Sequence, residues 1–167
     1  FFFFFLKNKN HFNQAIMLTS TKKLKASILN QAFSFLISQH DALKFKYHQE
    51  SCGYWSQTAG TEQKLFSVEE INLPSHVSDS NISKIISEHS TLLQKEINIE
   101  RGPLIQAMLF EIDSQESQKL LIVIHHLVVD GVSWRILLDD LTNLYSQISK
   151  GDKPSLPQKT HSFQQWA

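Results

Sequence analysis

The stretch LLIVIHHLVVDG, residues 120–131, joins a continuous apolar run to two histidines, an aspartate and a glycine. An apolar run without alternation, here Leu120 to Ile124, predicts a central strand that is covered on both faces. From Gly131 onward, apolar residues recur at the helical interval as far as Gly151, which is a natural C-terminal stop. The two histidines are therefore expected where a buried strand ends and a long helix begins.

Predicted strands and helices are mixed along the rest of the chain. The strands are expected at residues 12–18, 43–47, 54–58, 66–71 and 104–112, and the helices at residues 22–39 and from 78–80 to 93. His89 lies on the apolar stripe of the second helix, where we expect it to pack rather than to bind a ligand. Residues 161–167 are typical of the beginning of a further helix. This order of elements predicts a layered α/β sandwich.

The composition excludes several classes of partner. The 16 basic and 16 acidic side chains balance, so the chain has no overall field that would attract nucleic acid or an anionic membrane. The apolar run from Phe1 to Leu6 is too short for a secretory core or a membrane span. The only cysteine, Cys52, cannot form an internal disulfide and lies in a predicted turn. We therefore expect a cytoplasmic protein with no nucleic-acid or membrane partner.

The histidine pair suggests acid/base chemistry. Adjacent residues of a strand point to opposite faces, so one of His125 and His126 can face a cleft while the other packs against the fold. An imidazole with an ordinary pKa of about 6.5 can take and return a proton near neutral pH. Asp130 is close enough in sequence to orient the ring or balance its charge, and Gly131 permits a close backbone approach.

Three other interpretations of this stretch are a metal site, a serine hydrolase and a purely structural pair of histidines. A metal site is disfavoured because adjacent histidines diverge and no third and fourth ligands are spaced nearby. A serine hydrolase built on Ser133 is disfavoured because that residue lacks a Gly-x-Ser-x-Gly elbow and is typical of a helix N-cap. A purely structural pair of histidines stays open on local sequence alone.

The segment from His125 to Gly131 resembles the His-His-x-x-x-Asp-Gly motif shared by chloramphenicol-acetyltransferase-like acyltransferases and by the condensation, cyclization and epimerization domains of nonribosomal peptide synthetases. The segments HDALKFKY (40–47) and GPLI (102–105) are similar to other parts of this family, in the same order. The resemblance implies a two-layer α/β sandwich of the chloramphenicol-acetyltransferase type. It also implies that residues 1–167 form the N-terminal lobe of a domain whose C-terminal lobe is absent.

Three further segments resemble the epimerization subtype. They are HFNQ (11–14), DGVSWR (130–135) and SFQQWA (162–167). Two features depart from the expected pattern: the Pro-Ile-Gln-x-Trp-like opening of the subtype is missing or replaced by phenylalanines, and Gln106 stands where an arginine is common in the family. The resemblance favours an enzyme that epimerizes the α-carbon of a carrier-bound aminoacyl or peptidyl thioester.

The resemblance also implies a role for each residue of the motif. It makes His126 the acid/base residue at the substrate channel and His125 a packing residue. Asp130 then has a mainly structural, ion-pairing role, and Gly131 lies near the bound thioester. In such a domain a base removes the α-proton and an acid returns one from the other face, the second group being a glutamate of the other lobe. We therefore expect the isolated chain to be inactive.

Ser133 and Trp134 follow the motif and are candidate substrate-channel residues. The resemblance implies no metal and no directly bound cofactor, since the substrate is carried on the phosphopantetheine arm of a peptidyl carrier protein. The expected partners are this carrier protein, the C-terminal lobe and neighbouring synthetase domains. Two alternatives stay open: a condensation domain, in which the same histidine assists attack of an acceptor amine on a donor thioester, and a non-catalytic module that docks carrier or neighbouring domains.

Overall fold

A computed structural model describes residues 6–60, 66–74, 76–113 and 117–157 of the chain. The phenylalanine run at residues 1–5, the subtype-like segment at residues 162–167 and the helix predicted at residues 161–167 lie outside the described residues.

The described elements are six strands and three α-helices. The strands are β1 (Asn13–Ser20), β2 (Phe45–Gln49), β3 (Trp55–Ala59), β4 (Glu69–Leu73), β5 (Ile105–Ile112) and β6 (Ser117–His125). The helices are α1 (Ala26–Gln39), α2 (Asp79–Glu96) and α3 (Gly131–Ser149). Every strand and helix predicted between residues 12 and 149 is therefore present, although several boundaries differ.

Three predicted boundaries were wrong, two of them where a tertiary contact replaces the local pattern. The first helix begins at Ala26 rather than at residue 22, since the backbone N–H of Leu24 is bonded to the side chain of Gln118 on β6. Residues 41–44 form one 3₁₀ turn before β2 begins. β4 begins at Glu69, because the residues just before it dock on α1, with the Val68 N–H 2.7 Å from the Asn30 side-chain oxygen.

Four strands form the main sheet in the order β1-β6-β5-β4. β1 and β5 both pair antiparallel with β6, and β4 pairs parallel with β5. All residues from Leu120 to His125 are buried, which confirms the prediction of a central strand covered on both faces. β2 and β3 form a separate antiparallel hairpin with Cys52 exposed in its turn.

Helices cover both faces of the sheet. α1 and α3 pack side by side on one face, where Phe33 and Leu144 join a core with Ile122 and Ile124 of β6. On the other face, α2 and the β2–β3 hairpin enclose a second core. Its members include Tyr47, Leu93, Phe110, Leu121 and Val123. The predicted α/β sandwich is confirmed, and β6 runs through its centre with one set of side chains in each core.

His89 is half-buried on α2, with its ring edge-on to Phe110 of the sheet at a centroid distance of 6.5 Å. This contact agrees with the packing role that its position on the apolar stripe suggested.

None of the helices in the described ranges combines the length and the apolar character needed to cross a bilayer.

Candidate acid/base site

The two adjacent histidines lie at the C-terminal end of β6. His125 is the last residue of the strand and is fully buried, whereas His126 follows it and is half-buried. The backbone N–H of His125 donates to Leu104 next to β5, and that of His126 donates to Phe12 next to β1. Pairing on both sides therefore fixes the backbone at this point, and the divergence of the two side chains follows from the strand period of two.

His125 has a backbone partner at each ring nitrogen. Its Nε2 lies 2.7 Å from the carbonyl oxygen of Lys9, and its Nδ1 lies 3.2 Å from the backbone N of Leu127. A carbonyl only accepts and an amide N–H only donates, so the ring is neutral with its proton on Nε2. Burial lowers the pKa of His125, and the hydrogen bond to Lys9 opposes that shift in part. This environment is the one expected of a packing residue.

His126 is held by different groups. Its Nδ1 lies 2.8 Å from the carbonyl oxygen of Val129, and its ring packs against Phe12 with the centroids 4.8 Å apart. Because the carbonyl of Val129 can only accept, Nδ1 carries a proton. Nε2 is then the ring nitrogen that remains for proton exchange, and the amide nitrogen of Gln14 lies 3.2 Å from it.

Gln14 is a site residue to which sequence reasoning assigned no role. It lies on β1 opposite Ile124, two residues before His126, so Gln14 and His126 share a face of the sheet. In the sequence, Gln14 belongs only to the HFNQ segment (11–14) that resembles the epimerization subtype. Gln14 and His126 are 112 positions apart, and nothing in the sequence gives the register of β1 against β6 that brings them together.

Trp134 and Ser133, the two candidate channel residues, lie in the first turn of α3. The indole N–H of Trp134 donates to the side-chain oxygen of Gln14 at 2.8 Å, so the structure joins Trp134 to the histidine site through that amide. Ser133 lines a cavity of 140 Å³ beside Leu43 and Val128, and Trp134 is not among the residues that line that cavity.

Asp130 begins α3 as its N-cap. Its backbone is extended (φ −140°, ψ −176°), and its carboxylate accepts hydrogen bonds from the backbone N (2.7 Å) and Oγ (2.6 Å) of Ser133. These bonds lower the pKa of Asp130, and a favourable interaction with His126 adds to the effect. The prediction of Ser133 as the N-cap was wrong, because Ser133 is the third helical residue and donates to the cap.

The Asp130 contacts also refine two of the sequence-based interpretations. Within the ranges that the structure describes, the carboxylate bonds Ser133 and forms no ion pair with a lysine or arginine, so its structural contact is a helix cap. The Ser133 hydroxyl donates to Asp130 rather than to a histidine, which counts against a hydrolase site. Gly131 is exposed, and apart from its chain neighbours and its own helix backbone a Cβ added there would have no heavy atom within 4 Å.

Metal-ligand side chains do not cluster in the described part of the chain: nowhere do three or more His, Cys, Asp or Glu residues come together as a potential ion site. The His125–His126–Asp130 segment is arranged for hydrogen bonding along a strand and at a helix cap.

A family model described as "Condensation domain" matches residues 1–167. The chain belongs to the condensation domain family. Tyrocidine synthase 2 of Brevibacillus parabrevis is 38% identical over 167 residues, which cover 98% of this chain and 4% of that protein. Surfactin synthase subunit 1 of Bacillus subtilis (strain 168) is 38% identical over 160 residues, covering 96% of this chain and 4% of that protein.

Solved structures of condensation-family domains share the fold. The epimerization domain from the third module of tyrocidine synthetase B superimposes with a TM-score of 0.87 at 39% identity, over 95% of this chain and 34% of that one. A starter condensation domain of rhizomide synthetase gives a TM-score of 0.72 at 17% identity, over 89% of this chain and 35% of that one. The condensation-family chain thus spans about a third of these solved domains.

These comparisons confirm the predicted membership of the nonribosomal peptide synthetase condensation superfamily and its chloramphenicol-acetyltransferase-like α/β fold. The family is a catalytic one, and its relatives belong to multidomain synthetases.

Proposed function

We propose that the condensation-family chain contributes His126 as an acid/base residue to an epimerization site. The substrate is an aminoacyl or peptidyl thioester carried on the phosphopantetheine arm of a carrier protein. The observation that carries the proposal is the hydrogen bond from His126 Nδ1 to Val129, because it commits one ring nitrogen to the backbone and leaves Nε2 for the substrate.

The reaction needs one proton removed and one returned. Nε2 of His126 takes the α-proton, the α C–H bond breaks, and its electron pair moves into the thioester carbonyl as an enolate. An acid on the other face then gives a proton to the α-carbon, and the carbonyl reforms with inverted configuration. The family resemblance implies that this second group is a glutamate of the other lobe, outside these 167 residues. His126 takes part in either direction, as acid or as base.

The surrounding residues support this chemistry without reacting. His125 fixes the end of β6 through Lys9 and Leu127, and Asp130 caps the helix that follows. The open space beside Gly131 suits a thioester lying against the backbone. The carrier protein and neighbouring synthetase domains are the proposed partners. The chain itself is proposed to bind no cofactor, and the protein to work in the cytoplasm.

The epimerization subtype is favoured over the condensation subtype by likeness to a solved domain. The tyrocidine synthetase epimerization domain is 39% identical with a TM-score of 0.87, whereas the rhizomide starter condensation domain is 17% identical with a TM-score of 0.72. The matching family model is named for condensation domains, and this keeps peptide-bond formation as the second candidate. In that reaction His126 would assist an acceptor amine rather than remove an α-proton.

Proton exchange distinguishes the two functions. The full-length protein is incubated in heavy water with an aminoacyl thioester on its carrier protein and no acceptor amine. Epimerization requires the α C–H bond to break, so deuterium should enter the α-carbon while the chain length of the substrate stays constant. Peptide-bond formation after an acceptor is added, with no exchange before it, would instead assign the protein to the condensation subtype.

A further inference from the structure

Three side chains from three different elements form a chain of hydrogen bonds that ends on His126. The indole Nε1 of Trp134 on α3 is 2.8 Å from Oε1 of Gln14 on β1. The Nε2 atom of Gln14 is 3.2 Å from Nε2 of His126 at the end of β6. Gln14 and Trp134 are both half-buried. We call Trp134, Gln14 and His126 the relay.

The chemistry of its members fixes the direction of the relay. An indole N–H can only donate, so the amide atom of Gln14 that faces Trp134 must be the oxygen. The NH₂ group of Gln14 then faces His126, and this group can only donate. His126 Nε2 must therefore accept, which requires that it carry no proton.

The hydrogen bond at Nδ1 of His126 independently indicates the same tautomer. The carbonyl of Val129 can only accept, so Nδ1 of His126 must donate and carries the single proton of the neutral ring. Two separate hydrogen bonds, one to the backbone and one to Gln14, thus favour the same tautomer.

We propose that Gln14, oriented by Trp134, is a positioning residue that holds His126 as the neutral Nδ1–H tautomer with Nε2 unprotonated. The catalytic meaning of this arrangement rests on the proposed function, because a base must present an empty nitrogen to the substrate. A protonated Nε2 would face the NH₂ of Gln14 donor to donor, so this contact favours the neutral tautomer in which Nε2 is the unprotonated nitrogen.

Gln14 acts through His126 and does not itself react. The single lone pair of Nε2 serves one partner at a time, so the α-proton of a substrate has to take the place of the Gln14 NH₂ group. Asp130 and His125 are the titratable neighbours that interact with His126, and both have partners of their own in Ser133 and Lys9. The relay is therefore the direct contact that the structure gives Nε2.

The test is the protonation state of each His126 nitrogen, measured by ¹⁵N NMR on the full-length protein labelled at histidine. The spectrum of His126→Gln identifies the resonances by their loss. We expect the wild-type protein at neutral pH to have a protonated Nδ1 and an unprotonated Nε2. Predominant protonation of Nε2 in the wild-type protein would overturn the proposal.

Two variants change the relay in different ways. Trp134→Phe keeps an aromatic ring but removes the indole N–H that holds the Gln14 oxygen, so the Gln14 amide can turn and a population with Nε2 protonated should appear. Gln14→Glu places an acceptor against Nε2, so His126 should become protonated on both nitrogens at a pH where the wild-type ring is neutral. Gln49→Glu makes the same charge change on the exposed end of β2 and should leave the His126 resonances unchanged.

The amide fingerprint of each variant reports whether it is folded. If Trp134→Phe fails to fold, Gln14→Met is the alternative variant, because it keeps the length of the side chain and removes the hydrogen bonds to both Trp134 and His126. A population of His126 with Nε2 protonated should then appear. Folded Gln14→Glu and Gln14→Met proteins that keep the wild-type His126 spectrum would refute the relay. Because this readout needs no turnover, the relay and the proposed epimerization can fail independently.

Discussion

His125 and His126 are adjacent in the chain and carry the same side chain, but their rings have opposite hydrogen-bonding patterns. His125 carries its proton on Nε2 and accepts at Nδ1, and both partners are backbone groups. His126 carries its proton on Nδ1 and has the side chain of Gln14 at Nε2. His125 is fully buried, whereas His126 is half-buried.

The two histidines differ in whether their hydrogen-bonding partners can move away. Backbone partners such as Lys9 and Leu127 are held by the fold and cannot leave without local unfolding. A glutamine side chain can leave by rotating about its own bonds, at a modest cost in free energy. A substrate can therefore reach Nε2 of His126 but has no comparable route to either nitrogen of His125. We therefore propose that His125 contributes to stability and that His126 contributes to the proposed acid/base chemistry.

The largest expected effect is the loss of α-proton exchange in His126→Ala. If His126 is a general acid/base residue, exchange in heavy water should fall by a factor on the order of 10²–10⁴. The melting temperature should stay close to that of the wild-type protein, because the side chain is half-buried. His48→Ala, an exposed histidine on β2, serves as the control and should keep full exchange. Exchange that survived His126→Ala undiminished would remove this residue from the mechanism.

The neighbouring substitution His125→Ala should act on stability. It leaves the carbonyl of Lys9 and the N–H of Leu127 without their buried partner, which costs about 1–3 kcal/mol in free energy of unfolding. Urea denaturation followed by circular dichroism measures this loss. The two histidines would not differ in role if His125→Ala unfolded at the wild-type urea concentration and lost exchange as completely as His126→Ala.

Lowering the pH should also destabilise the folded protein through His125. Burial lowers its pKa in the folded protein, so the folded state binds fewer protons than the unfolded state. Its contribution to stability is then present above the unfolded pKa of about 6.5 and is lost as the pH falls below it. We expect the melting temperature to fall as the pH is lowered from about 7.5 to about 5.

The control for this pH effect is a pair of matched variants. His125→Gln should flatten the dependence of the melting temperature on pH, whereas His48→Gln at an exposed position should retain it. If both variants kept the wild-type slope, the acid sensitivity would have to come from groups other than His125.

The smallest expected effect is that of Asp130→Ala, which removes the cap of α3. The melting temperature should fall by a few degrees, while Asp130→Asn, which preserves the capping oxygen, should change it less. Differential scanning calorimetry compares the two variants. A protein with Asp130→Ala that melted like the wild type yet lost all exchange would contradict the structural role and favour a direct chemical one.

Local patterns predicted most of the fold. The unbroken apolar run from Leu120 to Ile124 predicted a strand covered on both faces, and the two cores on either side of β6 confirm it. The boundary errors near Leu24 and Val68 have a common cause. In both places a backbone N–H bonds a side chain from a distant part of the sequence, and hydrophobic periodicity carries no information on such partners.

The sequence by itself determined the α/β class, the position of the histidine pair at a strand end and the divergence of its two rings, because these follow from periods of 2 and 3.6 residues along one segment. Only the tertiary structure decided which nitrogen of each ring carries the proton. Besides the local partners Leu127 and Val129, those protons involve Lys9 and Gln14, which the β1–β6 pairing brings to residues more than a hundred positions away. Strand register arises from packing over the whole sheet, so no local pattern encodes it.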